Sequence, residues 1–369
     1  VTHTTHLLFV IHNLQGGGAE KVFTGLIRYF SERVKVSVLT FETGGVYEPE
    51  VNSLPIHRHI VLKPTSNPLI RVWEIRKILK QENPDKVISF LEYPNILTSW
   101  AAYGLGIPHI SSERTNYLEY LGNSLKAKLK IQLLKGVFAR AEKVITVSEA
   151  LRENLIQYFG ATKEKVLCIP NGIRFETLDQ LSKETQANLT APDSNTILAV
   201  GRLVKEKNYP LLLEAFQKAH TKAPHLKLYI AGDGPLKSNL MELSRQLNIQ
   251  DALQMPGFVA NPALLMKQAG CFVLSSDLEG MPNALLEAMY LNGHVISTNC
   301  RTGPSEIISN RKDGILTPVG DADALANAIL EMMENQALRQ KYFEASRQSI
   351  QRFDQESIWK KWASVLLEA

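Results

Sequence analysis

The chain predicts an α/β fold of two doubly wound halves, each built on a parallel sheet. Short apolar runs alternate with amphipathic stretches of helical period, a pattern that implies strands covered on both faces. The alternation starts afresh after a polar interval, Asn171 to Asn195, in which the periodicity is lost. At 369 residues the chain exceeds one ordinary domain and suits two of roughly 150 to 200 residues.

In the first half, Leu7 to His12 reads as a strand, Ala19 to Phe30 as a helix and Lys35 to Phe41 as the next strand. Pro68 to Gln81, Asp85 to Leu91, Asn95 to Gly104 and His109 to Ser112 continue the alternation. Lys126 to Ala139, Lys143 to Val147 and Glu149 to Phe159 follow, and Val166 to Ile169 closes the half. Pro170-Asn171-Gly172 supplies turn chemistry at the expected hinge. The second half begins with strand Thr196 to Val200 and runs through Pro210 to His220, Leu226 to Ala231, Leu236 to Leu247 and Cys271 to Ser275. Asn283 to Leu291, Val295 to Thr298, Ile315 to Pro318 and Ala322 to Glu334 complete it.

Composition narrows the function. A hydrophobic content of 44% with 21% charged residues is that of an ordinary globular protein, and a net charge of +4 is too small for a dedicated nucleic-acid binder. Cys168, Cys271 and Cys300 have no metal-binding spacing, and so sparse a set points to a reducing compartment. The start, Val1 to His6, lacks a basic segment, and the apolar run Leu7 to Ile11 is too short for a signal peptide. No stretch is long enough to span a bilayer. The expected location is the cytoplasm, or the inner face of the cell membrane as a peripheral protein.

The most informative segment follows the apolar run Cys271 to Ser275. Glu279 falls in a loop at the carboxyl end of that strand, where open α/β sheets bind ligands. Glu287 falls about one turn into the next helix, for which Asn283 is the expected N-cap. Between them, the amides of Gly280 to Ala284 and the positive end of the helix offer a cradle for an anion. Two acceptors for hydroxyls around a phosphate cradle suit a nucleoside diphosphate sugar, although two solvated glutamates on a capped helix would look the same. Strand Thr196 to Val200 ends in a second such loop, Gly201-Arg202-Leu203-Val204-Lys205-Glu206-Lys207. There Arg202 offers a planar fork for phosphate oxygens and Lys207 a mobile point charge; Lys205 reads as solvated. Gly232-Asp233-Gly234 and Gly16-Gly17-Gly18 each lack the last glycine of the dinucleotide fingerprint, which argues against a nicotinamide or flavin cofactor. The triple glycine still lets amides approach a ligand at a helix N-terminus, either a group of the second substrate or the donor diphosphate.

Together these segments make the chain similar to the GT-B fold glycosyltransferases of the large retaining family 4. The resemblance is carried by Gly16-Gly17-Gly18-Ala19-Glu20, Val144 to Ser148, Ile169 to Ile173, Gly201-Arg202-Leu203 with Glu206-Lys207-Asn208, and Ala231 to Pro235. Glu279-Gly280-Met281-Pro282 through Glu287 and Gly303-Pro304-Ser305-Glu306 complete it, in an order that covers nearly the whole chain. It implies two Rossmann-like doubly wound domains facing across a cleft: an acceptor-binding domain, 1–174 plus 355–369, and a donor-binding domain, 175–354. It implies a last helix, about Gln355 to Leu367, crossing back onto the first domain with Trp359, Trp362 and Leu366 as its apolar face. It also implies that Arg202 and Lys207 bind the donor diphosphate, that Glu279 contacts the transferred sugar and that Glu287 holds the ribose. Phe258 and Val259 would meet the base; Gly17, Gly18, Gly201, Gly280, Met281, Pro282 and Asn283 would line the donor.

Two departures stand out. Where many relatives place a histidine in the first domain's loop, Ser111 to Asn116 puts Arg114, which cannot act as a base, with Glu113 the nearby carboxylate. With Gly16 and Glu20 these are the acceptor-side candidates. The usual Gly-Gly before the later glutamate is replaced by Thr302-Gly303-Pro304-Ser305-Glu306, a form similar to transferases of galactose-type or N-acetylhexosamine donors. The implied reaction is transfer of a hexose or N-acetylhexosamine from a UDP-sugar, with retention and no metal or other cofactor; Asp321-Ala322-Asp323 reads as a helix cap and first turn. The implied acceptor is a polyprenyl-diphosphate-linked glycan, as in O-antigen, capsule or glycoprotein glycan synthesis. The basic, partly apolar stretch 126–140 would lie on an anionic membrane or serve as a core helix with a solvated face; Arg71, Arg76, Lys77 and Lys80 would extend that surface. Other readings are a sugar-nucleotide epimerase, a nicotinamide oxidoreductase, and a non-catalytic sugar- or lipid-binding subunit of a glycan assembly complex.

Overall fold

A computed structural model describes residues 4–117, 125–184 and 192–368. The chain divides into two compact units, Val1–Gly172 with Glu356–Ala369, and Ile173–Gln355.

The first unit is organised by β1 His6–Ile11, β2 Lys35–Thr40, β3 Arg58–Val61, β4 Lys86–Phe90, β5 His109–Glu113, β6 Lys143–Thr146 and β7 Val166–Cys168. They lie in the order β3-β2-β1-β4-β5-β6-β7, with every neighbouring pair parallel. β1 is buried at all its positions, as a central strand covered on both faces must be. Its side chains alternate between two layers. Leu7, Phe9 and Ile11 meet Phe23, Leu26 and Phe30 of helix Gly18–Ser31, whereas Leu8 and Val10 meet Ile75 and Leu79 of helix Pro68–Glu82 and Leu97 of helix Glu92–Ala102.

The last helix, Gln355–Leu367, joins this first-unit core. Ile358, Trp362 and Leu366 enter the layer of Phe9, and Trp362 stacks on Phe90 with ring centroids 5.9 Å apart. Trp359, expected on the apolar face, lies at its margin against Tyr29. The buried stripe therefore starts one residue earlier than the tryptophan spacing suggests.

In the second unit β8 Thr196–Val200, β9 Lys227–Ala231, β10 Leu253–Gly257, β11 Cys271–Leu274, β12 Val295–Thr298 and β13 Ile315–Thr317 form a parallel sheet in the order β10-β9-β8-β11-β12-β13. Both sheets thus reverse direction beside their first strand, between β1 and β4 and between β8 and β11. In such sheets the crevice outside the strand ends at the reversal is where ligands bind.

The two outer strands β3 and β10 are absent from the sequence reading for one reason. Each is an edge strand with no apolar run, and β10 includes Pro256, which only an edge tolerates. The polar interval Asn171 to Asn195 is also more ordered than its composition suggests, since it contains helix Phe175–Leu181; residues 185–191 of it lie outside the described ones. Phe175 stacks on Tyr290 at 4.6 Å, and the Tyr290 hydroxyl donates to Asp179 at 2.8 Å, so the short helix braces helix Asn283–Leu291. Helix Gln336–Ser349 is too polar to show apolar periodicity. The backbone at Ile173 is tied to the far end of the unit: its amide donates to the Phe353 carbonyl at 2.8 Å, and its carbonyl accepts from the Gln355 amide at 3.0 Å. Among the described residues no helix is long and apolar enough to cross a membrane.

Candidate active site

Beside the second unit's reversal point, the glycine loops after β8 and β9 are packed backbone to backbone. The Gly201 amide donates to the Ala231 carbonyl at 3.0 Å, Leu203 to Asp233 at 2.9 Å and Leu236 to Leu203 at 3.1 Å. A Cβ on Gly232 would lie 1.8 Å from the Gly201 carbonyl oxygen, and one on Gly234 2.6 Å from that of Leu203. Gly232-Asp233-Gly234 is therefore glycine-rich because another loop passes within contact, which accounts for the pattern without a dinucleotide.

The loops after β8 and β11 are fastened to each other as well. Asn208, in the left-handed region at φ 42°, caps helix Tyr209–Lys222 by accepting from the Leu211 amide at 3.3 Å, while its side-chain amide donates to Asp277 at 2.7 Å. The Asp277 amide donates to the Glu206 carbonyl at 2.9 Å, and the Ser275 hydroxyl to that of Lys207 at 2.9 Å. This lacing delivers Lys207 to Glu279: Nζ lies 2.5 Å from Oε1. The Ser276 hydroxyl donates to the same oxygen at 2.6 Å. The Glu279 side chain is only 9% exposed, so this is a largely desolvated ion pair with a supporting donor. Burial and then the Glu279 charge push the phenol of Tyr209 up, and the same two influences, in the same order, push the Cys300 thiol up to about 12. Arg202 stands exposed on the loop after β8.

Thr302-Gly303 now has a physical role. The buried Thr302 hydroxyl donates to the Glu279 carbonyl, and Gly303, at φ +96°, lies so close that a Cβ there would be 2.8 Å from the Gly280 oxygen and 3.1 Å from Pro282. The pair braces the carboxylate loop from behind. Helix Asn283–Leu291 begins at Asn283 itself, which corrects the expected cap. Pro282 occupies the N-cap position with extended backbone and no side-chain hydrogen bond, because its ring fixes a φ of −75° that suits the entry. Met281 and Pro282 are buried, and Glu287 is half-buried on the helix. At the end of β10, Phe258 is 58% exposed while Val259 is buried. The structure thus joins Lys207 and Glu279 through a direct contact and packs Gly303 against Gly280 and Pro282 of the same loop. Ser276 and Tyr209 belong to the same assembly and were not singled out from sequence, whereas Thr302 stood out there only as part of a departure from the family pattern; a hydroxyl three residues before Glu279 was the available signal for Ser276.

In the first unit Gly17 is the N-cap of helix Gly18–Ser31. The Glu20 carboxylate folds back over this end, with Oε2 2.1 Å from where a Gly17 Cβ would stand. Glu113 is wholly buried: Oε1 accepts from Ser111 at 2.6 Å and from Asn95 at 2.7 Å, and Oε2 accepts from the Tyr117 hydroxyl. Burial raises its carboxyl above the ordinary range, and these hydrogen bonds oppose the rise. Its carboxylate holds β5 to helix Glu92–Ala102 rather than facing a ligand. Arg114 lies over Phe90 at 4.7 Å and Trp362 at 5.8 Å and donates to Ser112 at 3.0 Å and Asn171 at 2.7 Å, tying the last helix to the loop after β7. Among the described residues its buried Nη2 has no hydrogen-bond partner.

Two protein families match the chain in tandem: Glycosyltransferase Family 4 over residues 16–177, and Glycosyl transferases group 1 over residues 182–349. A glycosyltransferase of Methanocaldococcus jannaschii is 29% identical, with 92% of this chain and 94% of the relative aligned. N-acetylgalactosamine-N,N'-diacetylbacillosaminyl-diphospho-undecaprenol 4-alpha-N-acetylgalactosaminyltransferase of Campylobacter jejuni is 28% identical, over 97% of this chain and 98% of the relative. Among solved structures, Anabaena HepE in complex with UDP and glucose superposes with a TM-score of 0.85 at 20% identity, covering 100% of both chains. With family matches in both halves and this architecture, the chain belongs to the GT-B glycosyltransferases related to family 4 and group 1.

Proposed function

We propose that this glycosyltransferase moves a hexose or N-acetylhexosamine from a UDP-sugar to a polyprenyl-diphosphate-linked glycan, with retention of configuration, in cell-envelope glycan synthesis. The observation that carries the reading is the Lys207–Glu279 pair at the second unit's reversal point, beside the exposed Arg202. A cation and a carboxylate held side by side at strand ends suit a donor with a diphosphate next to a hydroxylated sugar. Arg202 and Lys207 bind the diphosphate, Glu279 the sugar hydroxyls, and Glu287 the ribose. The exposed Phe258 and the backbone at Val259 meet the base. Support for UDP comes from HepE, determined with UDP and glucose, and support for the acceptor from the Campylobacter relative, whose name specifies a diphospho-undecaprenol substrate.

In this reading the bond between the anomeric carbon and the diphosphate oxygen breaks, and the acceptor hydroxyl oxygen bonds to that carbon on the same face. The hydroxyl proton passes to the departing diphosphate. Arg202 and Lys207 stabilise the charge that develops on the leaving group, the kind of effect that dominates many active sites. No protein nucleophile is required.

Residues 1–174 plus 355–369, essentially the first unit, handle the acceptor, with Gly16, Glu20 and Arg114, whose Nη2 has no partner among the described residues, as candidate contacts. Residues 175–354 handle the donor. Helix Leu125–Arg140 brings the enzyme to the inner face of the membrane: Leu125 and Leu129 are 85% and 63% exposed among Lys126, Lys128 and Lys130. Nearby, Arg140 lies over the exposed Trp100 at 4.8 Å, the kind of amphipathic ring that favours a headgroup region.

The test is transfer. The purified chain is incubated with UDP-glucose, UDP-galactose, UDP-GlcNAc or UDP-GalNAc and an undecaprenyl-diphosphate-linked disaccharide. A lipid-linked product heavier by one sugar supports the proposal. UDP release with free or epimerised sugar, and no lipid product, contradicts it.

A further inference from the structure

We infer that Ser276 is a positioning residue that holds Glu279 in place for the donor sugar when Lys207 turns to the diphosphate. This rests on the reading of Glu279 as the sugar contact and names the group that makes that contact specific.

The geometry is asymmetric. Both protein donors to the Glu279 side chain, Lys207 Nζ at 2.5 Å and Ser276 Oγ at 2.6 Å, converge on Oε1. Oε2 accepts no hydrogen bond from the described residues. A lysine is a poor fixed support here, because the same ammonium is needed on the diphosphate and its four-carbon stem is mobile. The serine is different. It is wholly buried, and its carbonyl is held from the end of β12 by the Thr298 hydroxyl at 2.5 Å and the Cys300 thiol at 2.9 Å. Thr302 fixes the Glu279 main chain through its carbonyl. The carboxylate is thus anchored at its backbone and at one oxygen by groups that a diphosphate cannot draw away. As Lys207 moves to the phosphates, Ser276 keeps Oε1, and Oε2 faces the sugar hydroxyls in one orientation. Acceptors placed in a fixed orientation are what let a site reject sugars that lack the matching hydroxyl.

A second consequence concerns the nucleotide alone. The pairing of Lys207 with Glu279 competes with its use on a diphosphate, so neutralising Glu279 frees the lysine. UDP, which has no sugar to lose, should bind Glu279→Gln as well as or better than the wild-type chain.

The experiment is calorimetric titration of the full chain with UDP and with UDP-glucose, UDP-galactose, UDP-GlcNAc and UDP-GalNAc. It compares wild type with Ser276→Ala, Ser276→Thr and Glu279→Gln, with melting curves to show that each is folded; Ser276→Cys, close to serine in shape but a weak donor, substitutes for the alanine variant if that fails to fold. We expect Ser276→Ala to leave the UDP affinity within about twofold and to weaken the preferred UDP-sugar about five- to tenfold. Ser276→Thr, which keeps the hydroxyl, restores the sugar affinity. Equal weakening of UDP and UDP-sugar in Ser276→Ala, or no rescue by threonine, would overturn the inference and leave Ser276 a packing residue. If Ser276→Ala binds like wild type while Glu279→Gln loses the sugar, the inference alone fails. If Glu279→Gln binds every UDP-sugar as wild type does, the assignment of Glu279 fails, and the inference with it.

Discussion

The two units share one order over six strands, to which the first adds β7, and differ at the same place within it. At the second unit's reversal point the loops after β8 and β11 are laced together by Asn208–Asp277 and Ser275–Lys207 bonds, and they present a paired cation and carboxylate. At the first unit's reversal point the helix amides are covered by the chain's own Glu20, and β4 leaves through Leu91, held at φ 74°, a strained value for a leucine. Beneath that turn runs a buried polar chain from His109 through Ser89 and Asn95 to Glu113 and Tyr117. The second unit places a paired cation and carboxylate at its strand ends, whereas the first spends its buried polar groups on holding a loop. The shared architecture fixes where loops emerge, and only the loops decide the chemistry.

The sharpest way to break this comparison is Lys207→Ala. Removing a cation that stabilises a leaving group costs on the order of 10² to 10³ in rate in comparable sites. Sugar transfer should fall by that much at a temperature where the variant is still folded, the melting temperature itself dropping because buried Glu279 loses its ion-pair partner; a loss below tenfold would remove Lys207 from the chemistry.

Acidification addresses the buried polar chain. Burial, and secondarily Arg140, pushes His109 down to about 3, against about 6.5 in an unfolded chain. The folded protein keeps this ring neutral while the unfolded chain takes up a proton, so stability is complete above about pH 6.5 and lost as the pH falls toward 3. Between pH 6.5 and 4.5 the expected loss is about 2 kcal/mol, read as a falling urea midpoint. His294 in the second unit, pushed down by burial to about 4, adds a smaller loss in the window from 6.5 to 4. His109→Asn should flatten the slope; an unchanged slope would show that the chain does not shelter a neutral imidazole.

Gly232→Ala tests the lacing itself. Its Cβ would meet a carbonyl oxygen at 1.8 Å, and backbone cannot swing away as a side chain can, so about 1–3 kcal/mol of stability should be lost together with nucleotide binding. The smallest effect belongs to the first unit: Glu20→Gln removes the charge over the helix N-terminus and should cost about 0.3–1 kcal/mol. A larger loss of lipid-acceptor affinity than of stability would show that Glu20 also meets the acceptor.

Much of this was legible in the chain. Central strands such as β1 and β11 are continuous apolar runs because both of their faces are covered, so they announce themselves. β3 and β10 do not, since edge strands face water and need no apolar run. Lys207 and Glu279, which the structure pairs, stood out in the sequence because charged residues just after a buried strand have few structural reasons to be there. The roles of Thr302 and Ser276 were not, because each depends on a contact with a loop remote in sequence or on which oxygen of a carboxylate is already occupied. Glu113 illustrates the opposite error: a carboxylate beside a strand end reads like a site residue, yet three hydrogen bonds enclose it.

Nucleotide binding at the second unit's reversal point is the central claim, and a thermal shift titration with UDP, comparing wild type with Arg202→Ala/Lys207→Ala, tests it most directly. The wild-type melting temperature should rise with UDP concentration, a rise that the double variant loses while remaining folded. A wild-type chain that melts unchanged at millimolar UDP, or a double variant that is stabilised as strongly as wild type, would contradict it.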